Sequence, residues 1–190
     1  MFLGKTSLIN VYFDENKFNP LEITTGQPSQ FFKSLEINKK KLNVSLWDTM
    51  GQEKFRAVTK TFIKDSNIVI FVYDITNRAS FLELNYWLNV CREELQNEAV
   101  FGLLGNKIDL FNNCEVEKAE AEEYAKKIGA LFTETSAKEN PVGFRNFVKQ
   151  LLEKLVSDPK IIKNLEVAVN EKENNFKLGG ANTTTKKKCC

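Results

Sequence analysis

Four short stretches carry the side chains with chemistry to offer: Gly4-Lys5-Thr6-Ser7, Trp47-Asp48-Thr49-Met50-Gly51-Gln52, Asn106-Lys107-Ile108-Asp109 and Ser136-Ala137-Lys138. Glycine at position 4 lets backbone N–H groups approach anionic oxygens, and a helix start adds positive dipole character. Lys5 brings a point charge on a long stem, and the Thr6 hydroxyl is a hard oxygen ligand suited to Mg2+. Asp48 follows an alternating run in which Leu42, Val44 and Leu46 point to one face of a strand. A carboxylate at a strand's carboxyl end, beside a Gly51 N–H that no side chain obstructs, can serve a Mg2+-bound phosphate. A bare Gly-Lys-Thr or Asp-x-x-Gly recurs by chance in many proteins. Their order in one chain is what gives them weight.

The elements that must position these residues are legible from periodicity. Ser7 to Phe13 predicts a helix with Leu8, Val11 and Tyr12 at helical spacing, and 14–30 reads as a polar loop. Phe31–Ile37 and Lys41–Trp47 alternate around a turn at Asn38-Lys39-Lys40, which predicts a hairpin. Ile68–Tyr73, Val100–Gly105 and Leu131–Thr135 read as strands. Between them, Phe81, Leu84, Leu88, Cys91 and Leu95 share one helical face, and Val116–Ile128 is a charged helix. A last helix, Val142–Val156, stacks Phe144, Phe147, Val148, Leu151, Leu152 and Leu155 on one stripe. Alternating β and α units predict an α/β fold: a mainly parallel sheet with helices on both faces.

Composition narrows the function classes. The 190 residues contain no histidine, which excludes Ser-His-Asp and Cys-His catalysis and histidine metal sites. Four cysteines, two isolated and two adjacent at the end, form neither a disulfide framework nor a zinc pattern and suit a reducing compartment. Net charge is +2, but residues 158–190 hold seven lysines and four acids. A near-neutral body with a basic tail argues against nucleic acid as the main partner and suits tethering near an anionic surface. The tail after Asp158-Pro159 loses its pattern and reads as a flexible linker, in which the faint helical spacing of Ile161, Ile162, Leu165 and Val169 predicts a weak helix rather than a core element.

Together the four stretches resemble the G motifs of a small GTPase of the Ras superfamily. Lys54-Phe55-Arg56-Ala57-Val58-Thr59, Phe62-Ile63-Lys64-Asp65-Ser66, Tyr73-Asp74-Ile75-Thr76-Asn77 and the final Cys189-Cys190 are similar to the Rab branch. The resemblance implies GTP and GDP as ligands with Mg2+ as cofactor. Gly4, Lys5, Thr6 and Ser7 would belong to the phosphate loop, with Thr6 and Asp48 holding Mg2+ and Gly51 meeting the γ-phosphate. Gln52 would orient the attacking water as the catalytic residue. The Thr-x-Gly that ligates Mg2+ in the family appears here as Thr24-Thr25-Gly26, and either threonine fits the spacing. Phe18 matches the aromatic that packs by the base, or is a simple loop anchor. Asp109 can accept hydrogen bonds from guanine N1–H and its exocyclic amine, whereas adenine would oppose lone pairs at a cost of about a few kcal/mol. The Lys107 stem can lie over the base, and the Ala137 N–H, within Ser136-Ala137-Lys138, would address guanine O6.

The resemblance also bears on the ends of the chain. A phosphate loop reads Gly-x-x-x-x-Gly-Lys-Ser/Thr after a strand; with Gly4 as its second glycine, the first falls before Met1. Residues 1–157 are therefore expected to be a G domain without its first strand and half its phosphate loop. Such a chain, expressed alone, is expected to aggregate or bind GDP feebly. Residues 158–190 form a hypervariable tail in which Cys189 and Cys190, after Lys186-Lys187-Lys188, look like a double geranylgeranyl signal. The implied partners are effectors, a GTPase-activating protein, an exchange factor and an escort or GDI-like protein. The implied location is the cytoplasmic face of an endomembrane, with a soluble cytosolic pool. Met50, Gln27-Pro28-Ser29-Gln30 and bulky Phe2-Leu3 depart from the family pattern. A lipid-anchored scaffold that has lost nucleotide binding is the other reading.

Overall fold

The computed structural model describes residues 3–20, 27–49, 56–95 and 98–162. Helix α1 runs Lys5–Phe13, two residues earlier than its apolar spacing predicts. Gly4 is its N-cap at φ 77°, a left-handed turn that glycine adopts without strain and that swings Lys5 and Thr6 into the first helical turn. Leu8, Val11 and Tyr12 are buried as the spacing requires. A 3-10 turn, Glu15–Lys17, follows, with the Asp14 carboxylate accepting from the Asn16 N–H.

Strands β1, Ser29–Ile37, and β2, Lys40–Asp48, form an antiparallel hairpin. Its turn is shorter than the sequence suggests: Asn38 and Lys39 alone take positive φ, and Lys40 already pairs with Ile37. Two residues at positive φ make the hairpin turn whose twist matches the strands it joins. Helix α2, Arg56–Ile63, lies in a stretch to which the apolar periodicity assigns no element. Strand β3, Ile68–Asp74, then leads to α3, Arg78–Leu82, and α4, Leu84–Glu94. These two replace the single expected helix, meeting at Glu83, yet Phe81, Leu84, Leu88 and Cys91 are all buried. Burial pushes the Cys91 thiol up to about 11, as suits a core cysteine.

Strand β4, Val100–Asn106, a 3-10 turn, Ile108–Asn113, and α5, Lys118–Ile128, continue the alternation. Strand β5, Leu131–Glu134, and α6, Pro141–Ser157, complete it. Strands β3, β4 and β5 pair in parallel in that order. One core cluster joins α1 and α6 to one face; the other joins α4 and α5 to the opposite face. This is the α/β layering that the alternation predicts.

Among the described residues the sheet comes as two separate pieces, β1-β2 and β3-β4-β5. Leu42, Val44 and Leu46 of β2 and Ile68, Ile70 and Val72 of β3 nonetheless pack against the same cluster. Helix α6 ends at Ser157 and Asp158 is extended; residues 159–162 are helical again, and Ile161 is 5% exposed within the first cluster, so this residue of the tail is a core residue. No described helix is long and apolar enough to cross a membrane.

Candidate functional site

The carboxyl ends of β2, β3 and β4 bring Asp48, Asp74 and Asn106 to the same edge of the fold as the start of α1, the place where open α/β sheets receive ligands. The Thr6 hydroxyl donates to Asp48 Oδ2 at 2.7 Å, across 42 residues of sequence. Asp48 is 2% exposed, the last residue of a strand whose preceding apolar positions face the core. Lys5 opens the same helical turn. Burial pulls its ammonium below the usual lysine range, and Asp48 and Glu83 pull the other way. Ser7 is buried on α1.

Asn106 joins the start of α1 to the other two stretches. Its amide Nδ2 donates to the Leu3 carbonyl at 2.9 Å, and its Oδ1 accepts the Ala137 N–H at 3.2 Å. The fit is tight: a Cβ added at Gly4 would lie 2.5 Å from Asn106 Nδ2. Ser136 is fully buried and donates to Asp109 Oδ1 at 2.6 Å. The same hydroxyl accepts the Lys138 and Glu139 N–H groups at 3.2 and 3.0 Å, turning the chain after β5 toward the Asp109 carboxylate. Lys138's ammonium stays at the surface beside Glu139.

Two placements add contacts that the sequence reading did not hold, and a third falls on one of two readings left open. The Ala137 N–H, expected to address a base, is engaged by Asn106. Lys107, whose stem can lie over the base, also forms a 2.6 Å ion pair through its ammonium with Asp74 Oδ2. Phe18 is half-buried against the first core cluster, the contact of a loop anchor. Sequence reasoning missed Asp74, the Leu3 carbonyl and Glu83 as parts of this site. An Asp-x-Thr spacing at Asp74 and Thr76, where Asp side chains commonly brace the backbone two residues on, was the available signal for the first. Thr24, Thr25, Gly51, Gln52, Cys189 and Cys190 lie outside the described residues.

The donor set suits a hard cation. Thr6 and Asp48 offer oxygen alone, and no group of three or more Cys, Asp or Glu occurs among the described residues to form a cage. Mg2+ commonly takes one or two protein oxygens and completes its shell with phosphate and water, so these residues fit it.

Comparison with known proteins identifies the family. The Ras family model matches residues 1–158. Ras-related protein Rab-21 of Homo sapiens is 42% identical over 159 residues, covering 84% of this chain and 70% of the relative. Ras-related protein Rab-2B of Dictyostelium discoideum is 38% identical, covering 85% and 81% respectively. Ras-related protein SEC4 of Saccharomyces cerevisiae is 37% identical over 190 residues, covering 99% and 86%.

Proposed function

The chain belongs to the Ras family, within the Rab branch of small GTPases, and on that premise we propose that it binds GTP and GDP with Mg2+ and hydrolyses GTP as a switch in vesicle traffic. The observation that carries this reading is the Asn106 side chain. By holding Leu3 and Ala137 at once it ties the start of α1 to the turn that Ser136 anchors on Asp109, which supports a phosphate-binding end and a base-binding end in one site.

In this reading Lys5 places its charge against the β- and γ-phosphates, and its depressed basicity marks how far it is already stripped of water. Thr6 and Asp48 hold Mg2+, which when bound neutralises charge on the phosphate oxygens. Asp109, oriented by Ser136, accepts from the guanine N1–H and amine. Gln52 orients the attacking water, and one of Thr24 and Thr25 adds a Mg2+ ligand while the γ-phosphate is present. Segments 14–30 and 51–65 would report the bound nucleotide to effectors, with exchange promoted by a separate factor. An activating protein's arginine would raise turnover by about 10^3 to 10^5. The tail, residues 158–190, would carry two geranylgeranyl groups on Cys189 and Cys190, delivered by an escort and recovered by a GDI-like protein. That places the molecule on the cytoplasmic face of an endomembrane, with a soluble pool.

Fluorescence titration with GDP and ADP, with Mg2+ and with EDTA, tests the reading. A guanine preference that falls on chelation is expected. Equal or absent binding of both nucleotides would favour a scaffold without nucleotide.

A further inference from the structure

Lys107 is held at both ends. Its backbone sits in the left-handed region at φ 69° and ψ 36°, and its carbonyl accepts the Leu110 N–H at 2.9 Å. Its ammonium reaches Asp74 Oδ2 at 2.6 Å. Asp74 is itself braced, because Oδ1 accepts both the Thr76 N–H at 3.0 Å and the Thr76 hydroxyl at 2.7 Å. Only 7% of the Asp74 side chain is exposed, against 31% of the lysine's, so this pair is shielded more than an ordinary surface ion pair. Asp74 and Asn106 are register partners on adjacent strands. The lysine stem therefore spans from the end of β4 to the end of β3, beside the base-recognising stretch.

We propose that Asp74 is a positioning residue for the nucleotide site: it pins the Lys107 ammonium so that the four-carbon stem is already set as an apolar surface for a guanine ring. This rests on the guanine reading above. A lysine free in solvent loses rotamer freedom when a ligand orders it, which weakens binding. A lysine pinned by a braced carboxylate has lost that freedom on folding, together with the cost of its left-handed backbone. Thr76 is the brace, because it leaves Oδ2 directed at the ammonium.

The test is a double-mutant cycle on GDP affinity. Asp74→Asn keeps an oxygen for Thr76 and removes the charge; Lys107→Met keeps an apolar stem and removes the ammonium. Each should lower GDP affinity about 10- to 30-fold, the range that re-ordering one long side chain supports. The double variant should be no weaker than either single one. Losses that multiply, or an Asp74→Asn affinity equal to the wild type's, would overturn the pin. NMR of the lysine Nζ resonances reads the pair without nucleotide, and Asp74→Asn should move the Lys107 signal. A Lys107 signal unmoved by Asp74→Asn also overturns the pin. A wild-type chain whose Lys107 signal responds to Asp74 but which shows no preference for GDP over ADP overturns the guanine reading instead.

Discussion

Asn106→Asp exchanges one amide nitrogen for oxygen and little else. The Ala137 N–H keeps its acceptor, because that bond ends on Oδ1. The other bond is reversed in sense: a carboxylate oxygen would stand 2.9 Å from the Leu3 carbonyl oxygen, where Nδ2 now donates. Asn106 is 1% exposed, so water cannot screen the two lone pairs. Leaving a buried charge uncompensated costs about 3–5 kcal/mol, a large share of a stability of about 5–15 kcal/mol. With a urea slope of about 2 kcal/mol/M, the unfolding midpoint should drop by about 1.5–2.5 M at pH 7. The introduced carboxyl has a folded-state pKa raised above its unfolded value of about 3.9, since only the protonated form can donate to Leu3. Its destabilisation is therefore complete above the raised pKa and disappears as pH falls toward about 4. Urea melts followed by circular dichroism at several pH values, each compared with the wild type, measure this. A difference below about 0.5 kcal/mol at pH 7, or one that does not change with pH, would refute the bridging role.

Thr6→Ala removes one of two oxygens assigned to Mg2+, so GDP affinity should fall at least tenfold in Mg2+ and change little in EDTA, by titration. Asp109→Asn should weaken GDP and gain xanthosine diphosphate, because an amide matches the xanthine carbonyl; competition binding with no relative gain would remove Asp109 from the base site. Gln52→Leu should keep GTP binding and lose stimulated turnover, which a single-turnover assay with an activating protein reads. Serine at both Cys189 and Cys190 should move the protein to the soluble fraction, and persistent membrane pelleting would point to another anchor.

Elements whose pattern is local were legible in the sequence. The stripe on α6 and the apolar runs of β3 and β4 came within a residue or two of their observed limits, because period and burial agree there. The hairpin turn lost Lys40 to β2, since polar residues in a row do not say which of them take positive φ. Helix α1 begins earlier than its hydrophobic spacing because Gly4, not an apolar residue, sets its start. Ile161 has the faint spacing of a weak helix outside the core, yet tertiary packing buries it. At the site, residue types marked the four stretches, but their joints are contacts between residues 27 to 103 positions apart. Nothing in the local sequence says that the Asn106 amide faces Leu3 or that the Lys107 ammonium finds Asp74.

The Asn106–Leu3 contact also sets an order of events during synthesis. Leu3 leaves the ribosome 103 residues ahead of the side chain that holds it. At about 5–20 residues per second, the interval is about 5–20 s. Ala137, the other half of the bridge, is made 31 residues later still. Through that interval the β1-β2 hairpin can close on its own short turn, while the Gly4 end has yet to meet its partner. The part of the molecule assigned to phosphate is made early and completed late. A ribosome that stalls before Asn106 would present chaperones with a hairpin and an exposed α1 whose Leu8, Val11 and Tyr12 have no α6 to cover them.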